Sequence, residues 1–328
     1  MKTTDLRPGD VLLYSGQSLI GKLIRALDGT EVTHAGIFLG DGNVGEALMV
    51  GTPGIHANPI DRSIEGTNWV EVRQLPKQNL AYEPLMVVAN GYIAQGNRYA
   101  YAEILLVATI CLTRKLNWND GLLRRIAIGV MNKANRWIAE MFDQGKEPMI
   151  CSEFVYRCYD EAVDAEDDPY SLTIFSQAGT PSRHRSWRRL RRKAITAYAD
   201  TESPTVHPES LLGRLMNEPE KLQGKNQAAA PSEAPTEQIS DNELDELIEM
   251  YLQKPQGIQP MGASAVTEDL ERAASDFSVA LMATGDRRHG IFPNEAVAAK
   301  IAMALADFVT PGDLLKSPSL SRVGRIST

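Results

Sequence analysis

Cysteine is scarce in this chain: Cys111, Cys151 and Cys158 are the only three in 328 residues. Three thiols cannot all pair within one chain, and their spacing matches neither a zinc site nor a disulfide framework. Long apolar runs are also missing. The longest near-apolar stretch, Ile104 to Leu112, is half of the roughly 18–20 residues that a membrane-spanning helix needs. The first ten residues contain no apolar core and no small-residue cleavage site, so no secretory signal is expected. The expected location is cytoplasmic, or wherever a phage particle or secretion system delivers the chain. Positive charge is in the minority, 34 Lys and Arg against 42 Asp and Glu, net -8, and no specific nucleic-acid partner is expected.

What is present is an ordinary globular composition, 43% hydrophobic and 23% charged, with turn signals between strand-like and helix-like segments. This texture runs from Asp5 to about Tyr198. Beyond it lies a proline- and alanine-rich stretch, Gln227 to Pro235, inside a segment (226–253) with seven acidic and no basic side chains. Such a composition buries too little apolar surface to offset the entropy of ordering. The sequence therefore predicts a compact domain over 1–200, a flexible linker over 201–240 and a helical tail over 241–328. In the tail, Asn242–Leu252, Thr267–Met282 and Asn294–Val309 have helical apolar spacing, and a protein partner is the expected use. Between the two parts, residues 183–193 carry seven Lys or Arg in eleven. As a helix they would set Trp187 and Leu190 under a basic face, suited to an anionic membrane surface; a solvated helix edge is the plainer alternative.

Three side chains suggest chemistry. Thr33-His34-Ala35-Gly36-Ile37 and Val44-Gly45-Glu46-Ala47 read as two strands around a glycine-rich turn. A hairpin centred on Gly40 sets His34 directly opposite Glu46; a turn centred between Asp41 and Gly42 puts them on opposite faces. The second signal is Cys151, where a helix is expected to begin. A thiol there feels the positive end of the helix dipole, which favours the attacking thiolate. Cys151 could equally be one of an apolar face with Phe154, Val155 and Cys158. A thiol nucleophile needs a base, and the base needs a group that holds its tautomer; Cys151, His34 and Glu46 supply the three types.

Leu6-Arg7-Pro8-Gly9-Asp10-Val11, Thr33-His34-Ala35-Gly36-Ile37, Gly45-Glu46-Ala47, Gly96-Asn97-Arg98-Tyr99 and Cys151-Ser152-Glu153-Phe154-Val155 occur in this order. Together they resemble the papain-like NlpC-type cysteine hydrolases, in particular the circularly permuted YiiX/YaeF-like amidases, with lecithin retinol acyltransferase as distant kin. The resemblance covers about residues 5–175. It implies an α+β class, a permuted papain-like fold with an antiparallel sheet packed on helices, followed by the linker and the small helical appendage. It also implies acyl transfer through a Cys151 acyl-enzyme with His34 as base and Glu46 orienting it, on a peptide, isopeptide or lipid acyl substrate, with no metal or organic cofactor. The histidine and third polar residue of such sequences lie a dozen positions apart, which favours the Gly40-centred register. Tyr99 falls where the family often has a tyrosine lining the site; an aromatic starting a core helix is the alternative. The region Arg114 to Glu147 reads as an insertion. A catalytically inactive binding module, or a virion- or membrane-associated structural module, is the competing expectation, and would carry an ordinary thiol at Cys151.

Overall fold

The computed structural model describes residues 1–48, 54–76, 80–95, 98–99, 102–165, 168–175, 181–183, 207, 209–217, 239–254, 266–289 and 309–327. Residues 184–193 of the basic run and 294–308 of the last expected helix lie outside them. Among the described residues no helix is long and apolar enough to cross a membrane.

The fold is α+β, as expected, built on a six-stranded sheet in which every neighbour is antiparallel. Its strands are β1 (Val11–Gly16), β2 (His34–Gly40), β3 (Asn43–Leu48), β4 (Gly54–Pro59), β5 (Thr67–Gln74) and, from the C-terminus, β10 (Ser321–Ser327), in the spatial order β10, β5, β1, β2, β3, β4. Strand β1 is central, and its Val-Leu-Leu-Tyr run is apolar on both faces for that reason. Val11 and Leu13 enter one core cluster, whereas Leu12 and Tyr14 enter another on the opposite face.

The first of these clusters is closed by α3 (Glu83–Gln95) and α6 (Cys151–Asp160). Every residue of α6 from Cys151 to Tyr159 is buried, so this helix is held against the sheet from all sides. A separate helical cluster joins α1 (Leu19–Asp28), α4 (Ala102–Thr113) and α5 (Gly121–Asp143). Helix α4 is buried from Ile104 to Leu112, as a helix apolar all round must be. The two-residue strands β6 (Arg98–Tyr99) and β7 (Glu147–Pro148) pair in parallel; β8 (Thr173–Phe175) and β9 (Pro181–Arg183) pair antiparallel. A single turn, α2 (Ile60–Ser63), connects β4 to β5.

The chain after residue 200 departs from expectation. The expected linker contains α7 (Leu211–Asn217), whose Leu211, Leu212 and Leu215 are buried in the helical cluster. Helices α8 (Asp241–Gln253) and α9 (Glu268–His289) follow the spacing read from the sequence and pack into the same cluster through Leu244, Leu247, Leu270 and Phe277. The C-terminal segment is not solely helical: after α10 (Pro311–Lys316) it supplies β10, the edge of the sheet. The physical reason is a sealed ion cluster. Arg114, the first residue of the expected insertion, is 1% exposed and donates to Asp28 Oδ1 at 3.1 Å and to both oxygens of Asp313 at 2.9 and 2.8 Å. Thr310 Oγ1 completes it, accepting from Arg114 and donating to Asp28 Oδ2 at 2.9 Å. A buried charge is tolerated only when it is paired in this way, and here the pairing fastens the C-terminus to α1 and α4.

Candidate active site

The β2–β3 register follows neither sequence alternative. Gly36 opposes Glu46, Ile37 opposes Gly45 and Phe38 opposes Val44, with an irregularity before the Gly40–Asn43 pair. The turn itself, closed by the Gly40–Asn43 pair, is centred between Asp41 and Gly42, as the second alternative has it, and the irregularity beyond it shifts the pairing by one residue. Asp41 lies in the left-handed region at φ 48° between Gly40 and Gly42, both at positive φ. His34 and Glu46 are thus diagonal neighbours on one face, a separation that long side chains bridge. His34 Nε2 lies 3.2 Å from Glu46 Oε2.

The third residue arrives from α6. Cys151 opens the helix, with Ile150 as its extended N-cap and the Glu153 carboxylate accepting from the Ile150 N–H. The Glu153 side chain is fixed in turn by Arg157, 3.0 Å away. Cys151 is 1% exposed and is hydrogen-bonded to His34. Burial opposes charge on His34, but the Cys151 sulfur's negative charge and the hydrogen bonds with Cys151 and Glu46 outweigh it. Together they raise the imidazole from 6.5 to about 10. The structure therefore brings three of the four expected residues into one hydrogen-bonded line. His34 remains 19% exposed.

The other two cysteines have no such surroundings. Burial pushes the Cys111 thiol up to about 12; burial, then the Glu161 charge, pushes Cys158 well above its ordinary range. Both are inert by this criterion. Tyr99 is placed through its backbone, which pairs with Pro148, three positions ahead of Cys151.

Several neighbours were not singled out from the sequence. Asn58 on β4 donates to Glu46 Oε1 at 3.1 Å, and Ser63 at the end of α2 donates to Oε2 at 3.1 Å. Tyr14 is the direct β1 partner of His34, with ring centroids 5.2 Å apart. His56 lies on β4 opposite Glu46. Glu103, in the first turn of α4, is hydrogen-bonded to Ser18; burial raises its carboxyl, while the His34 charge and Ser18 lower it. None of these lies in a motif; each reaches the site through sheet order or helix packing, so no local pattern could have found them.

The arrangement as it stands is a thiol at a helix start, an imidazole that interacts with it, and a carboxylate at that imidazole's Nε2, all on an α+β frame. No protein-family model matches the chain. Over 161 residues it is 27% identical to the Escherichia coli (strain K12) protein named probable lipoprotein peptidase YaeF, covering 48% of this chain and 57% of that protein. The chain thus spans little more than half the length of this distant relative.

Proposed function

We propose that the chain is a cysteine-dependent hydrolase or acyltransferase of the permuted papain-like, NlpC-type kind, acting on a peptide or related acyl bond. The observation that carries this reading is the hydrogen-bonded line Cys151, His34, Glu46. The peptidase named among its relatives supports the same class.

In this mechanism the Cys151 thiolate attacks the substrate carbonyl carbon and forms a tetrahedral oxyanion. The backbone N–H of Cys151, at the positive end of α6, serves as an oxyanion donor, with Tyr99 as a second candidate. The bond to the leaving nitrogen or oxygen breaks as the His34 imidazolium gives that atom its proton, leaving a thioester on Cys151. His34, now neutral, takes a proton from water or another nucleophile, which attacks the thioester and releases the acyl group. Glu46 steadies the imidazolium in both steps.

The test uses short acyl p-nitrophenyl esters and peptidyl coumarin amides, with the protein followed by intact mass and peptide mapping. The expected result is a transient acyl adduct on Cys151, absent in Cys151→Ala and formed at least about 100-fold more slowly in His34→Ala. An adduct that maps to Cys111 or Cys158, or that forms equally fast without His34, would contradict the proposal.

A further inference from the structure

Glu46 is 1% exposed and meets three donors. Oε2 faces His34 Nε2 at 3.2 Å and Ser63 Oγ at 3.1 Å, while Oε1 faces Asn58 Nδ2 at 3.1 Å. Ser63 in turn lies 2.7 Å from the Tyr14 hydroxyl. A serine hydroxyl has one hydrogen, and a carboxylate can only accept. If Ser63 gives that hydrogen to Glu46, the hydrogen between Tyr14 and Ser63 must come from the phenol. The chain of donation then has one direction, from Tyr14 to Ser63 to Glu46.

The backbone makes room for it. Tyr14 is paired with His34 across β1 and β2, and its hydroxyl reaches past Gly36, the residue opposite Glu46. A Cβ at Gly36 would stand 3.3 Å from the Tyr14 hydroxyl and 2.8 Å from Val44 Cγ1, so a side chain there would crowd this passage. Burial and then the charge of Glu46, with a smaller contribution from Cys151, outweigh the lowering effect of the Ser63 hydrogen bond and hold the Tyr14 phenol well above its ordinary range. It keeps its proton and stays a donor.

We propose that Tyr14 and Ser63 are positioning residues of the site, a hydroxyl chain that keeps Glu46 Oε2 aimed at His34 Nε2 and so leaves Nδ1 to the Cys151 sulfur. The inference rests on the thiol and imidazole chemistry proposed above. A carboxylate that loses one of two donors on the same oxygen is held less firmly in its orientation, with Asn58 at the other oxygen as its remaining anchor besides His34. The imidazolium then loses part of the partner that stabilises it.

The test follows the full-length protein by NMR titration of isotope-labelled histidine and by Cys151 alkylation with iodoacetamide as a function of pH. The variants are Tyr14→Phe, Ser63→Ala and Ser63→Thr, with Glu46→Gln as the full loss. The His34 midpoint is expected to fall most in Glu46→Gln, by about one pH unit in Ser63→Ala and by less in Tyr14→Phe. Ser63→Thr, which keeps a hydroxyl, should restore most of the shift. Alkylation below the midpoint should slow by about tenfold in Ser63→Ala. Tyr14→Phe removes one oxygen and retains the ring beside His34, so it tests the chain even if Ser63→Ala does not fold. Variants that melt earlier with an unchanged midpoint and alkylation profile would overturn the proposal, as would a midpoint that rises. If wild-type Cys151 alkylation does not respond to His34→Ala, the thiol and imidazole reading itself fails and the positioning role falls with it.

Discussion

Two buried polar clusters hold this molecule together, and they differ in what each leaves open. At the C-terminal clamp, Arg114 and Asp28 are each 1% exposed and Asp313 is 5% exposed, and the charges face one another with Thr310 completing the set. At the candidate site, Glu46 is equally sealed, but its partner His34 is 19% exposed and also interacts with a thiol. Both clusters obey the rule that buried charge must be paired. The difference teaches that pairing accounts for stability, whereas chemistry requires one member that can be reached and one atom that can attack.

The comparison can be broken most severely at the clamp. Removing residues 309–328 takes away Thr310, Asp313 and β10 together, leaving Arg114 and Asp28 without Asp313 and β5 with a bare edge. The truncated chain is expected to lose cooperative unfolding in a thermal melt; a sharp, near-native transition would show that the tail is dispensable. Arg114→Ala leaves two carboxylates facing each other and should cost about 3–5 kcal/mol in denaturant titrations. In the folded fraction it should leave Cys151 alkylation unchanged. Glu46→Gln should do the reverse, slowing alkylation at a smaller cost in stability.

Another buried carboxylate, Asp10, sharpens the point, because Arg7 meets it through its backbone N–H rather than by closing an ion pair on both oxygens. Asp10 is 1% exposed, and its Oδ1 has no partner among the described residues. Burial, opposed by the Arg7 backbone N–H and the Arg7 charge, raises it from 3.8 to about 6. The folded protein therefore holds a proton there that the unfolded chain releases between those values. Stability from this group is complete below about pH 4 and is lost as the pH rises to about 6, a change of about 2–3 kcal/mol. Asp10→Asn should remove that loss, read as the difference between wild-type and variant stability across the window. A pH-independent difference would contradict the assignment.

The smallest effect concerns two serines. Ser63 is bonded on both sides, but Ser152 Oγ, beside the candidate nucleophile, is fully buried with no partner among the described residues. Ser152→Ala should be neutral or stabilising by about 1 kcal/mol in chemical denaturation, whereas Ser63→Ala should not. A loss of stability in Ser152→Ala would show that its hydroxyl has a partner.

The sequence was most legible where residue type carries the message. A cysteine expected at a helix start and a histidine and a glutamate on neighbouring strands could be read before any coordinates, and the family resemblance implied the α+β class. The register could not, because Gly40 and Gly42 with Asp41 between them allow several turns of similar geometry. The turn between Asp41 and Gly42 was one of those weighed, but the irregularity after Phe38 that shifts Glu46 opposite Gly36 leaves no mark in the residue types. Tyr14, Asn58 and Ser63 come from β1, β4 and α2, and only the sheet order brings them to one carboxylate. Strand β10, Ser-Arg-Val-Gly-Arg-Ile-Ser, has no clean apolar alternation. Its place depends on the distant Arg114 clamp and on Glu71, which meets both Arg322 and Arg325. Helix α7 is short and sits in an otherwise linker-like composition, so its three buried leucines were hidden by their surroundings.

The central claim, that one of three buried thiols is set apart by a facing imidazole, is tested most directly by site-resolved alkylation. Wild type and His34→Ala are treated with iodoacetamide at neutral pH, and Cys111, Cys151 and Cys158 are quantified by peptide mapping. The account predicts rapid modification of Cys151 alone, falling by about 100-fold without His34, with Cys111 and Cys158 unreactive in both proteins. Equal rates at Cys151 in the two proteins, or a Cys151 as inert as Cys158, would contradict it.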